Sequence, residues 1–304
     1  MGRLEELRIN AYLSEIARGY SNNSFIADKL FPTIPSEKEK IDIFEFNKEA
    51  FQIYDTERAI RANSNVISPK GFNKHSATLK EHDLAYPIDY REEEEAEKIK
   101  LQVHATNVVT QGLYLKHEKQ CAELAQNPDN YAVSNKSSLA GSSKFSDKDS
   151  DPVGVVDDAK DQICKQIGQD PNTLVMGQEV WTALKRNKAL KDMIASTSNK
   201  TITLDLLKEF FEIENIFIGR AIYSDAKNKF QRVWGNNIIL AFVPSLTSKT
   251  QYDPSYGYTV RKKDALQIDE YEKEGNKVKY IRGTDIYTPF LVGPDAGYLI
   301  SNVV

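Results

Sequence analysis

The side chains able to do chemistry are sparse in this sequence and poorly grouped. There are four histidines, His75, His82, His104 and His117. None forms an HxH or HxxxH pair, the spacing that would place two imidazoles on one metal. His104 and His117 share one helical stretch but stand 13 residues apart, more than three turns, so both read as solvated or capping imidazoles. Cys121 and Cys164 are far apart with no CxxC, which suits reduced thiols buried in helices better than a zinc knuckle or redox pair. No GxSxG elbow and no cysteine with a placed histidine announces a nucleophile. Glu92, Glu93, Glu94 and Glu95 could be imagined as acid–base carboxylates. A run of four like charges, however, reads as a solvated helix start, where the macrodipole favours negative charge.

One stretch imitates a phosphate loop. "NTLVMGQEVWTALKRNKALKDMI" (172–194) passes from an apolar strand through Gly177 into an amphipathic helix. A phosphate cradle needs several glycines, or a Gly-Lys-Ser/Thr ending, so that N–H groups converge on the anion. Here Gly177 stands alone and Glu179 would repel a phosphate. The stretch is therefore architecture, with Val180, Trp181 and Leu184 inward and Lys185 and Arg186 outward. A break at Asn187-Lys188 makes two short helices of it. No catalytic, cofactor or metal site is expected.

The elements around these residues say more. The chain has 304 residues, 40% hydrophobic and 28% charged, with a formal net charge of -4. That length fits one large domain or two ordinary ones. The charge balance excludes a dedicated nucleic-acid binder and a polybasic membrane surface. No stretch reaches the roughly 20 apolar residues of a membrane span, and the charged N-terminus lacks the apolar run of a signal peptide. The expectation is a soluble protein made in the cytoplasm.

Residues 4–18 have helical apolar spacing, and 42–54 tend to strand-like alternation. Residues 55–90 hold few large apolar side chains but scatter Arg58, Arg61, Lys70, Lys74 and Lys80. Such a segment cannot bury a core of its own, so an extended two-stranded excursion that packs on something else is expected. After Glu92–Glu95 an apolar stripe of Ala96, Ile99, Val103, Val109, Leu113, Cys121 and Leu124 predicts a helix to Pro128. Such a helix would be about 52 Å long at 1.5 Å per residue, as long as a compact chain of this size is wide, and so forms a spine. The serine-rich stretch 134–151 reads as a long surface loop or mobile segment, with Leu139 and Phe145 its only large apolar residues. A helix at 153–167, a helix capped by Thr203, and strands at "NIFIG" and "NIILAFV" then describe a mixed α/β lobe. Near the end, a two-residue turn at Gly275-Asn276 would set Glu274 opposite Lys277, Glu272 opposite Lys279, Tyr271 opposite Tyr280 and Asp269 opposite Arg282. What the chain chiefly has is shape: extensions it cannot stabilise alone, and hence self-assembly.

Several of these segments resemble, in order, the tailed-bacteriophage major capsid proteins of the Hong Kong 97-type fold. "YLSEIARGYSNNSFIADKLFPTIPSEKEKIDIFEFNKEAF" is similar to the opening of such proteins, and "DTERAIRANSNVI" resembles the start of their extended loop. There, Ile60-Arg61 stand where relatives often have Pro-Gly after Arg-Ala. "LVMGQEVWTALKRNKALKDMI", "LLKEFFEIENIFIGRAIYSD", "VWGNNIILAFVP" and "PSYGYTV" resemble the axial-domain portion.

The resemblance implies an α+β chain: an N-terminal arm and first strands at 1–54, an extended β-hairpin loop at 55–91, and a spine helix and peripheral domain at 92–152. It further implies an axial domain at 153–260 and C-terminal strands at 261–304 returning to the peripheral domain. It implies hexamers and pentamers of this chain closing an icosahedral phage head around double-stranded DNA held without sequence specificity. A portal protein and a separate scaffold or decoration protein are implied partners, and no cofactor is. Arg58, Arg61, Lys70, Lys74 and Lys80 become candidate inter-subunit contacts, and Glu92–Glu95 the start of the spine. An encapsulin-like nanocompartment shell would share the fold but hold protein cargo, and an enzyme without a recognisable motif is the remaining alternative.

Overall fold

The computed structural model describes residues 9–44, 53, 56–66, 74–95, 98–195, 201–244, 255–272 and 277–304. Helix α1 (Ala11–Gly19) opens on Asn10, whose Oδ1 accepts from Leu13 N at 3.1 Å, satisfying one of the orphan donors of a first turn. A short α2 (Ala27–Leu30) leads into strands β1 (Thr33–Ser36) and β2 (Lys40–Phe44). The chain comes back as β3 (Lys74–Thr78) and the long β4 (Lys80–Asp89), then α3 (Tyr90–Glu95) and α4 (Lys98–Gln126). Next come β5 (Lys136–Ser138), α5 (Pro152–Ile167), β6 (Thr173–Gly177), α6 (Gln178–Arg186), α7 (Lys188–Ala195) and α8 (Leu204–Phe211). Strands β7 (Asn215–Gly219), β8 (Ile222–Ser224), β9 (Phe230–Arg232) and β10 (Ile238–Ala241) follow. The last are β11 (Gly257–Lys262), β12 (Gln267–Glu272), β13 (Val278–Leu291) and β14 (Gly297–Ser301).

Two five-stranded sheets organise these elements. In the first, the 14-residue β13 pairs with β4, β11 and β12, and β1 adds in parallel to β11. The β12–β13 register sets Asp269 against Arg282, Tyr271 against Tyr280 and Glu272 against Lys279, as charge matching predicts. Arg282 grips both oxygens of Asp269 at 3.0 and 2.8 Å, and the two tyrosine rings stack at 5.0 Å. The turn at 275–276 and Glu274 lie outside the described residues.

The second sheet runs β5-β14-β10-β6-β7, and the period-two alternation of its strands divides two cores. Leu174, Met176, Ile216, Ile238, Leu240 and Ile300 face the helices α5, α6 and α8. Val175, Ile239, Ala241 and Leu299 face α2, the end of α4, Tyr131 and Tyr256. The serine-rich stretch is anchored here rather than mobile. Its Leu139 and Phe145 are buried in the first of these cores, and β5 pairs with β14. Two apolar residues suffice because the backbone bonds of Leu139 and Phe145 go to Ser301 and Val303.

The spine helix α4 is 29 residues long, about 43 Å, with α3 before it and residues 96–97 outside the described set. Its buried stripe differs from the apolar one read in the sequence. Every fourth residue from Ala105 to Ala125 (Ala105, Val109, Leu113, His117, Cys121, Ala125) is buried, while Ile99 is exposed. The stripe therefore carries His117, and beside it Thr106, Thr110 and Glu118, into the interior. These polar side chains must find partners inside the protein.

Gly177 is required by close approach and not by backbone freedom. A Cβ there would lie 2.0 Å from Gly235 O, and one on its strand partner Gly219 would lie 2.1 Å from the Trp234 ring. Asn187 then breaks α6 from α7: its Oδ1 accepts from Leu190 N at 3.2 Å, and its Nδ2 donates to Phe145 O and Ser150 Oγ.

Candidate functional site: an exposed extension on a polar-cored spine

Strands β2 and β3 form a two-stranded ladder of their own, Lys40–Phe44 against Lys74–Thr78. Between them the described residues 56–66 are all exposed, including the apolar Ile60 (92%) and Val66 (89%). This turn is closed by its own polar groups: Arg58 Nη1 donates to Ala62 O, and Asn65 Nδ2 donates to Glu57 O at 3.0 Å. Arg61 has φ 70°, a left-handed conformation that favours glycine.

The five predicted cations are thus not one cluster. Arg58 and Arg61 sit on the exposed turn, and Lys70 lies outside the described residues. Lys74 opens β3 opposite Phe44. Lys80 is exposed at the start of β4, within the first sheet, its backbone N–H donating to Thr288 Oγ1 at 3.1 Å. Among the glutamates, Glu92 Oε2 accepts from Asp89 N at 2.9 Å while Asp89 Oδ1 accepts from Arg91 N, a reciprocal cap of α3. Glu93 pairs with Lys279 at 3.3 Å, and Glu94 and Glu95 are exposed.

The buried polar stripe of α4 contains a constellation the sequence reading passed over. Cys121 Sγ lies 3.4 Å from His117 Nε2, which also meets Thr259 Oγ1 at 2.9 Å. The spacing i, i+4 was a usable signal, since it puts the two side chains on one helical face. The pair is nonetheless chemically silent. Burial lowers His117 to about 4 and pushes the Cys121 thiol well up, so both are neutral, whereas a nucleophilic cysteine requires a thiolate. His117 is no solvated imidazole, as the sequence suggested, but a core residue edge-on to Tyr287 at 4.9 Å.

Glu118 is a structural hub. Its carboxylate accepts from Ile26 N, Ala27 N and Trp234 Nε1 at 2.9, 2.8 and 2.6 Å. It thereby ties the "FIAD" turn and the β9–β10 connection to the spine. Burial raises its pKa against these three bonds. Asp285 is likewise buried, 3.3 Å from Arg261 Nε, and burial raises its pKa despite that cation. Among the described residues no group of three or more His, Cys, Asp or Glu could hold a metal, and no helix is long and apolar enough to cross a membrane.

Among the described residues, an exposed extension, a polar-cored spine and two sheets offer surfaces for association, and no reacting centre is assembled. Comparison with known proteins agrees. The model of the family "Phage major capsid protein E" matches residues 88–284. The major capsid protein of Burkholderia phage BcepMu is 46% identical over 100% of this chain and 99% of its own. A crystal structure of a phage-related protein from Bordetella bronchiseptica RB50 superposes with TM-score 0.84 at 32% identity, covering 98% of both chains. A virus-like particle from Pyrococcus furiosus, 12% identical, superposes with TM-score 0.56 over 98% of both chains and shares the fold. The architecture is the α+β Hong Kong 97-type capsid fold, and the relatives are structural proteins rather than enzymes. The chain belongs to the phage major capsid protein E family.

Proposed function

We propose that copies of this chain polymerise as hexamers and pentamers into the icosahedral head of a tailed phage, around double-stranded DNA. The full-length identity to the BcepMu major capsid protein carries this reading. The net charge of -4 suits a shell that must not grip DNA while it is packed, since tight non-specific binding needs many phosphate-neutralising cations. Residues 1–54 act as arm, 55–91 as extended loop, 92–152 as spine and peripheral domain, 153–260 as axial domain and 261–304 as the return to the peripheral domain. The exposure of Ile60 and Val66 supports a loop completed by a neighbouring subunit, with Arg58, Arg61, Lys70 and Lys74 as its contacts and Lys80, just beyond its ladder in the first sheet, as a further one. A portal protein and a separate scaffold or decoration protein are the further partners this role entails, and assembly takes place in the bacterial cytoplasm.

Negative-stain microscopy of the purified chain is expected to show closed particles, and particles recovered from infected cells are expected to contain nucleic acid. A chain that stays monomeric across the micromolar range would refute the shell. Particles holding protein cargo and no nucleic acid would instead select the encapsulin-like alternative, which shares the fold.

A further inference from the structure

The α6–α7 stretch is basic. Residues 178–191 carry four cations against one carboxylate. Arg186, Lys188, Lys148 and Arg232 line a groove of about 630 Å³ that runs along α6 and includes Glu179 and Asp147. The groove adjoins the β8–β9 hairpin, where Ile222 faces Arg232 and Ser224 faces Phe230. Those four residues share one face of the ladder. On it Phe230 is 79% and Ile222 50% exposed, while Tyr223 on the other face packs inward.

The opposite charge gathers on α5 and α8. Residues 152–167 and 204–214 carry seven carboxylates against three lysines, and Asp158, Asp161, Glu209 and Glu212 are exposed. Lys160 joins the two helices into one edge, its Nζ reaching Asp157 Oδ1 at 3.3 Å, Phe211 O at 2.9 Å and Glu212 Oε2 at 3.4 Å. Leu206 and Phe210, one helical turn apart on α8, remain partly exposed there.

Along the chain, the two stretches join the β6–β7 pair at opposite ends. Gly177 and Gly219 pair at the carboxyl end, from which α6 and the hairpin depart. Thr173 and Asn215 pair at the amino end, immediately after Glu212 and Glu214. Among the described residues no ion pair joins the groove to the α5–α8 edge; within the groove Arg232 pairs with Glu179 at 3.1 Å, and Lys148 lies 3.9 Å from Asp149. Complementary faces of this kind suit a heterologous contact between copies, repeating head to tail.

We propose that the α6 groove and the β8–β9 hairpin of one copy dock the acidic α5–α8 edge of a second copy, closing the ring of a capsomer. This rests on the shell reading, and names the faces that meet. The test is charge reversal in the full chain. Arg186→Glu with Lys188→Glu, and separately Asp158→Lys with Glu209→Lys, should each cut particle yield at least tenfold, read by sedimentation and negative stain. Far-UV circular dichroism of the dissociated subunits should match the parent. Combining all four substitutions restores opposite charges across the contact and should return most of the particles. Undiminished assembly of either pair, or no recovery in the combined chain, overturns the docking. Failure of the unsubstituted chain to form particles overturns the shell reading itself.

Discussion

At the scale of single residues, the chemistry-bearing side chains of this chain are put to structural use, and their protonation follows from that. His117 sits among Thr259, Cys121 and Tyr287 with Arg261 and His82 near, and Asp28 as the opposing charge. Burial, then Arg261 and His82, hold it near 4 where an exposed histidine titrates at 6.5. Between those values the unfolded chain binds a proton that the folded chain refuses, so stability falls as pH is lowered from 6.5 to 4. The full effect is roughly 3 kcal/mol at 1.36 kcal/mol per pH unit. Glu118 and Asp285 are displaced upward. Their sign is opposite, because the folded chain holds their protons more firmly than the unfolded chain does. The difference between parent and His117→Asn melts isolates the histidine, and that difference should shrink steadily as pH falls from 6.5 to 4. Parallel profiles would assign the acid sensitivity elsewhere. Glu118 illustrates the cost of the same economy: its removal would orphan three buried donors, each worth about 1–3 kcal/mol.

At the scale of elements, the spine and the extension were legible to different degrees. The spine's existence follows from a long apolar stripe with no proline before Pro128. Its buried side did not follow, because hydrophobicity pointed to Ile99 while the packing selected Ala105, His117 and Glu118. A buried carboxylate is invisible to apolar periodicity when its partners are backbone N–H groups more than 90 positions away. The extension was expected to begin at 55, where large apolar residues thin out. Its ladder is instead built from 40–44 and 74–78, and β4, from 80 onward, already pairs with β13. This defines the bounds of a deletion. Phe44 and Lys74 are cross-strand partners, so replacing 45–73 by Asn-Gly closes a two-residue hairpin at that point. The shortened chain should retain its far-UV circular dichroism and melt within a few degrees of the parent while forming no closed shells. Loss of the helical signal would show that the excursion supports its own subunit.

At the scale of the whole molecule, the described residues 56–66 are exposed with apolar side chains outward, the condition of a surface waiting for a partner. Trypsin should therefore cut the dissociated subunit first at Arg58 and Arg61 and spare these bonds in assembled particles, as read by intact mass. Equal cleavage in both would remove the extension from the contacts. What the sequence determined by itself was local or cumulative. It set the strand–Gly–helix at 172–194, the split at Asn187 and the β12–β13 register. Each of these depends on neighbours a few residues apart, or on charges that only one register can match. The order of weak matches along the chain also carried the family. The tertiary structure alone decided what joins distant segments. It is why Gly177 must be glycine, since Trp234 and Gly235 press against it. It also brought Glu118 to Ile26, Ala27 and Trp234, and gathered Lys148, Arg186, Lys188 and Arg232 into one groove. Such contacts depend on which surfaces meet after the chain folds back on itself, and no local spacing encodes them.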